Sequence, residues 1–245
     1  MINIKNLSVK NNDNILIKGL NLKINQGEFW AILGKNGTGK TTLLHTLAGF
    51  LKYSVGSIQV DGQDLNNLNI LSRAQEISYL PQLLESSLNC TVKQAISYGR
   101  YPWHKIIKNS AEDCIHIETA IKRMNLNAIE NKSIQEISGG ELRKVEIATV
   151  LAQDSKIMML DEPLNHLDMS YRFILMKLLK KLSQNKTIII ITHDIQYVNE
   201  YCTHALLLLD KCQPIFGKTS DIMTHKNLTK MLGFSLPSNF MEKVL

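Results

Sequence analysis

Two stretches of this chain gather residues that can do phosphate chemistry. The first is Gly34-Lys35-Asn36-Gly37-Thr38-Gly39-Lys40-Thr41, with the spacing G-x-x-x-x-G-K-[ST], followed by Thr42. The apolar run "FWAIL" (29–33) precedes it and "TTLLHTLAGFL" follows, so the pattern predicts a buried strand, a tight loop and an amphipathic helix. In such a loop the backbone N–H groups around Gly37 to Lys40 cradle phosphates. Lys40 reaches the β- and γ-phosphates, the Thr41 hydroxyl ligates Mg²⁺ and Thr42 adds a phosphate contact. The second stretch is Asp161-Glu162, directly after the apolar "IMML". Acids at the carboxyl end of a strand lie where open α/β sheets bind ligands. Alone they are more often solvent-facing. With a phosphate loop upstream, Asp161 suits the Mg²⁺ shell and Glu162 suits a general base that polarises water. His193 ends "TIIIIT" and is placed to sense a γ-phosphate; Gln82 ends "ISYLP" and is placed to touch metal or water.

A third stretch, "EISGGELRKVEIA" (136–148), sets two glycines where a helix should begin. Glycine costs about 1 kcal/mol relative to alanine inside a helix. Ser138 and Glu141 read as a capping box, flanked by Ile137 and Leu142 as a hydrophobic staple. The box accounts for neither Gly139 nor Gly140. Glycine admits close backbone approach to a ligand, and a helix N-terminus attracts anions. A carboxylate aimed at that anion would repel it, so Glu141 is expected to turn back and accept the Ser138 N–H.

These residues need a core to position them. The chain has 245 residues, 44% of them hydrophobic, enough for one large domain or a core with a subdomain. Net charge is +6, but no long basic block occurs, so ordinary surface lysine is the expected reading and no nucleic acid partner is inferred. "KLLKKL" (177–182) reads as a solvated helix face beside an apolar one. The cysteines show no C-x-x-C pair, the N-terminus has no signal-peptide pattern, and no apolar run approaches the roughly 18 residues of a membrane span. Residues 1–30 alternate as antiparallel strands, and "GSIQVDGQDL" is a hairpin turning at Asp61-Gly62. "ISYLPQ" ends a strand at Pro81, "KIMMLDEP" and "KTIIIITHD" are buried strands, and "THALLLLDKCQPIFG" is a closing hairpin. Residues 84–152 read as a helical insertion. Strands alternating with helices argue an α/β core.

The combined set resembles the nucleotide-binding subunits of ABC transporters from end to end. The resemblance rests on "GKNGTGKTT", Gln82, "ISGGE" (137–141), "IMMLDEP", "NHLD" (165–168) and His193, in that order. It implies a P-loop NTPase core with a mixed sheet, an N-terminal antiparallel β subdomain and an inserted helical subdomain. The whole of 1–245 would be one ATPase domain, with 1–83 and 153–245 as the ATP-binding core and 84–152 as the helical signature subdomain. It implies ATP and Mg²⁺ as cofactors. Two copies would pair head to tail, with Ser138, Gly139 and Gly140 of one serving ATP held on the loop of the other, and Asp168 would also bind the nucleotide. "SYGRYPW" (97–103) looks like the G-R-x-P segment of cassettes that drive importers of iron–siderophore, haem or cobalamin complexes. The expected partners are therefore transmembrane permease subunits and, indirectly, a periplasmic or surface substrate-binding protein. The expected location is the cytoplasmic face of the cell membrane. An exporter cassette or another importer is the alternative; an ATPase acting on DNA or ribosomes fits less well, because no coiled-coil or zinc insertion and no second cassette occur. Two departures stand out: Glu141 replaces the usual glutamine, and Asn11 stands where an adenine-stacking aromatic is common. No Trp, Tyr or Phe occurs in residues 1–28.

Overall fold

The computed structural model describes the chain apart from residues 12–13, 83–88, 104–109, 210–212, 236 and 238–245, and apart from the side chain of Asn11. The chain forms two compact units, Met1–Leu68 with Met176–Leu245, and Asn69–Leu175.

The first unit opens with strands β1 (Ile2–Asn11), β2 (Asn14–Ile24) and β3 (Phe29–Gly34), helix α1 (Lys40–Leu47), and strands β4 (Val55–Val60) and β5 (Gln63–Asp64). β1 pairs antiparallel with β2 (Ile2 opposite Ile24) and with β4 (Ile2 opposite Val60), in the order β2-β1-β4-β5. β1 buries Ile2, Ile4, Leu7 and Val9, and β2 buries Ile17, Leu20, Leu22 and Ile24; the period-two alternation slips by one residue in each strand, where the β1–β2 register shifts on either side of Leu7. Asp61 and Gly62 both have positive φ, 46° and 82°, the twist a two-residue hairpin loop needs.

The second unit holds α2 (Ile70–Glu76), β6 (Ile77–Leu80), α3 (Val92–Ser97), α4 (Ala111–Arg123), α5 (Gly139–Gln153), β7 (Ile157–Asp161) and the start of α6 (Met169–Leu182). β6 and β7 run parallel, Ile77 opposite Ile157 and Leu80 opposite Leu160. Their carboxyl ends therefore leave at one edge. α5 packs on α3 and α4. Among the described residues of 84–152 no strand forms, only an isolated bridge between Thr91 and Ser133.

The chain returns to the first unit with β8 (Thr187–Ile191), α7 (Ile195–Tyr201), β9 (His204–Leu208), β10 (Ile215–Lys218), α8 (Thr219–Ile222) and α9 (His225–Leu232). β3 lies parallel between β8 and β9, and β10 closes antiparallel on β9. Every residue of β3, β7 and β8 is buried, which explains their unbroken apolar runs. The result is the expected α/β fold with a mixed sheet, an antiparallel β subdomain and a helical region. Among the described residues no helix is long and apolar enough to cross a membrane.

Candidate functional site

In the first unit, β3 delivers the chain into the phosphate loop at Gly34. A side chain there would put its Cβ 2.7 Å from Thr38 Oγ1 and 2.9 Å from the Leu208 carbonyl, so only glycine fits. The loop closes on itself: Thr38 Oγ1 donates to the Lys35 carbonyl at 2.9 Å, and Lys40 Nζ donates to the carbonyls of Gly34 (2.9 Å) and Lys35 (3.0 Å). The Lys40 side chain thus arches over the loop it belongs to. Gly39 precedes α1 with φ 97°, and no side chain caps the helix. Bare N–H groups at a helix start are a ready site for phosphate. Asn36 and Gly37 are exposed, Thr41 and Thr42 half-buried. His193 follows β8, whose Ile191 lies opposite Ile32 of β3. The exposed histidine and the loop therefore leave the sheet at the same edge.

In the second unit, β6 and β7 bring Gln82 and Asp161-Glu162 to a common edge. Asp161 is 1% exposed, and neither carboxylate oxygen meets a protein donor at hydrogen-bond distance. Burial, and then the nearby charge of Asp161, push the Tyr79 phenol above its ordinary value. Two buried, undonated carboxylate oxygens are the chemistry a hard divalent cation completes. Among the described residues no cluster of three or more His, Cys, Asp or Glu could form an all-protein metal cage. Mg²⁺ in nucleotide sites is commonly held by one or two carboxylates plus substrate phosphates. Glu162 follows at φ 48°, a left-handed conformation that costs a non-glycine residue about 1–3 kcal/mol. Its carbonyl accepts from Asn165 N at 3.2 Å.

The helix that opens at Gly139 carries the expected box. Ser138 N and Ser138 Oγ both donate to Glu141 Oε2 at 2.8 Å, and Glu141 N donates to Ser138 Oγ at 3.3 Å. The Ser138 backbone N–H, then its hydroxyl, hold the Glu141 carboxyl below its ordinary value. The two glycines separate in role: a Cβ on Gly139 would meet nothing within 4 Å, whereas one on Gly140 would sit 3.1 Å from the His166 carbonyl. Gly139 leaves an open face, and Gly140 lets the 165–168 turn pack closely. Asp168 spends one oxygen as a cap on α6, accepting from Tyr171 N at 2.9 Å. Asn11 ends β1, and its side chain lies outside the described residues.

Two arginines carry contacts that composition and spacing did not single out. Arg143 is 3% exposed and reaches the carbonyls of Pro81, Asp161 and Glu162. The available signal was a cation on the buried stripe of α5, four and seven residues before Ile147 and Val150. Arg100, inside the 97–103 segment, donates to Asp113 Oδ1 (2.8 Å) and to the carbonyl of Ala152 (2.9 Å). Trp103 Nε1 donates to the Gln153 carbonyl at 2.6 Å. Both side chains satisfy the last turn of α5, whose carbonyls have no intrahelical donors. Gly99 is required as well, because a Cβ there would collide with the Thr149 carbonyl.

A phosphate loop between a buried strand and a helix, with an acidic strand end in an α/β fold, defines the P-loop nucleoside triphosphatases. A family profile described as "ABC transporter" matches residues 17–165, more than half the chain, and the chain belongs to that family of ATP-hydrolysing cassettes. It is 34% identical over 210 residues to the Petrobactin import ATP-binding protein YclP of Bacillus subtilis (strain 168), covering 85% of this chain and 83% of that one. Among solved structures it resembles a transporter assigned to the metal-chelate type in an inward-facing conformation, with TM-score 0.82, 29% identity, and 95% and 88% of the two chains covered. It also resembles a dimeric ATP-binding cassette in a post-hydrolysis state with ADP and Pi, with TM-score 0.79, 26% identity, and 89% and 98% covered.

Proposed function

We propose that this chain is the ATP-hydrolysing subunit of a membrane importer for metal chelates of the iron–siderophore, haem or cobalamin kind. The observation that carries the substrate class is the likeness to a petrobactin import protein over most of both chains. The whole chain acts as one cassette, with 1–83 and 153–245 as its nucleotide-binding core and 84–152 as its helical part. Residues 34–42 bind the phosphates of ATP. Glu162 takes a proton from water as the water oxygen attacks the γ-phosphorus; the bond from that phosphorus to the β–γ bridging oxygen breaks, leaving ADP and phosphate. His193 contacts the γ-phosphate, and Gln82 orients the water. Thr41, Gln82 and Asp161 would hold Mg²⁺, which when bound neutralises charge on the β- and γ-phosphates.

Two copies pair head to tail, so that Ser138, Gly139 and Gly140 of one complete the ATP site of the other, and Asp168 also binds the nucleotide. The dimeric ADP-bound relative supports this reading, as does the open face at Gly139. Permease subunits hold the dimer on the cytoplasmic face of the membrane, and a substrate-binding protein feeds the permease from outside. The test is affinity capture of the tagged chain from detergent-solubilised membranes, followed by reconstitution of the captured complex in liposomes. An integral permease should co-purify, and an iron–chelate-loaded binding protein should stimulate ATP hydrolysis. Capture of a permease whose stimulating ligand is not a metal chelate would overturn the substrate class.

A further inference from the structure

Arg143 is a buried cation in the wall of a turn that the proposed reaction depends on. It stands five residues into α5 counting from Gly139, with its side chain 3% exposed. Nη2 donates to two successive carbonyls, Asp161 (3.0 Å) and Glu162 (2.9 Å). Nη1 donates to the Pro81 carbonyl (3.0 Å) and to Glu146 Oε2 (2.8 Å), which supplies the counter-charge one turn along the helix. The guanidinium thus joins three places that are far apart in sequence: the helix opened by Ser138, the strand end bearing Asp161 and Glu162, and the residue immediately before Gln82.

The left-handed turn at Glu162 is where this matters. A non-glycine residue at φ 48° stays there only when its surroundings over-determine it. Here the surroundings are a planar fork that fixes both carbonyls flanking the Asp161–Glu162 junction and the turn bond from Asn165 N to Glu162 O. Arginine suits this task because its donors lie in one rigid plane; a lysine ammonium offers a point charge that cannot bridge three carbonyls with the same geometry.

We infer that Arg143 is a positioning residue for hydrolysis: it sets the backbone at Glu162, and hence where that carboxylate points, and ties this to the segment that carries Gln82. The inference rests on the reading of Glu162 as the general base. Arg143 acts through that residue, its guanidinium donating to protein carbonyls and to Glu146.

The test is a double-mutant cycle on the purified full chain, with kcat, KM for ATP, fluorescent-nucleotide affinity and thermal melting measured for Arg143→Lys, Glu162→Gln and the double variant. Arg143→Lys should lower kcat by about 10- to 100-fold, the scale of a misplaced catalytic group, with nucleotide affinity and KM within about twofold. In the Glu162→Gln background the same change should lower kcat by less than about threefold, because a base already removed cannot be misplaced. Equal losses in both backgrounds would overturn the inference while leaving Glu162 as the base, and so would an unchanged kcat in Arg143→Lys. Undiminished hydrolysis in Glu162→Gln alone would instead remove the reading on which the inference rests. Should the lysine variant fail to melt cooperatively, Arg143→Gln combined with Glu146→Gln takes its place in the same cycle, since neutralising both partners strands no charge and the amide can reach one carbonyl.

Discussion

Replacing Glu141 by glutamine separates two accounts of the turn that opens α5. In the structure, both Ser138 donors end on one Glu141 oxygen. A glutamine carbonyl can accept the same bonds, so the change exchanges charged for neutral hydrogen bonding. Such bonds are worth about 1.5–3 and about 0.5–1.5 kcal/mol, and a favourable charge at a helix start adds about 0.3–1 kcal/mol. Solvent at this exposed turn screens both, leaving a loss of about 1 kcal/mol. In a chain of this length that lowers Tm by about 2–4 °C. The sign of the pH dependence follows from the depressed carboxyl: its contribution is fully present above the ordinary carboxylate value and is lost as pH falls through the lowered one. The Tm gap between wild type and Glu141→Gln should therefore close on acidification. ATP-driven dimerisation, followed by sedimentation in the hydrolysis-deficient Glu162→Gln background, should change by much less than tenfold. A carboxylate pointed at the γ-phosphate from ~8 Å would instead cost about 2 kcal/mol per charge pair at an effective dielectric of ~20. A hundredfold tighter dimer on Glu141→Gln, at unchanged Tm, would refute the capping account.

Three further outcomes are expected. Glu162→Gln should slow hydrolysis by about 10²–10⁴-fold while nucleotide binding persists and an ATP-bound dimer accumulates; near-normal turnover in a phosphate-release assay would remove Glu162 from its role. Gly99→Ala, with its Cβ driven against the Thr149 backbone, should destabilise the fold by about 1–3 kcal/mol, read as a lowered denaturation midpoint, and a wild-type midpoint would contradict the close approach. Burial alone would raise the Asp113 carboxyl, but Arg100 and then the Ser110 N–H and hydroxyl hold it at about 2; the stability it contributes should persist above the ordinary carboxylate range and fall as pH drops toward about 2, and Arg100→Met should cost about 3–5 kcal/mol at neutral pH by stranding the buried aspartate.

Whatever depends on local pattern could be read from the chain alone. The unbroken apolar runs of β3, β7 and β8, the Asp61-Gly62 turn and the box at Ser138 and Glu141 each follow from neighbours within a few residues. The edge that gathers Gln82, Asp161 and Glu162 follows from strands ending abruptly in polar residues. Contacts between distant segments could not be read. Arg143 meets Pro81 across 62 positions and Arg100 meets Ala152 across 52, and no periodicity announces either. The 97–103 segment reads as a family marker, while its glycine, arginine and tryptophan turn out to seat and cap α5. Gly140 likewise answers to the His166 carbonyl rather than to a ligand alone. α2 has no buried residue and is capped by Asn69; at seven residues it is shorter than the window over which a helical period is read.

The capping of α5 gives the chain an internal ruler. A 15-residue helix is about 22 Å long at 1.5 Å per residue. Its first turn is fastened by Ser138 and Glu141, its last by Arg100 and Trp103. A rod secured at both tips does not fray, so spin labels near its two ends should report one separation in every nucleotide state. A distance change measured from one of those labels to a site elsewhere then records displacement of the whole helix, free of any contribution from its own melting.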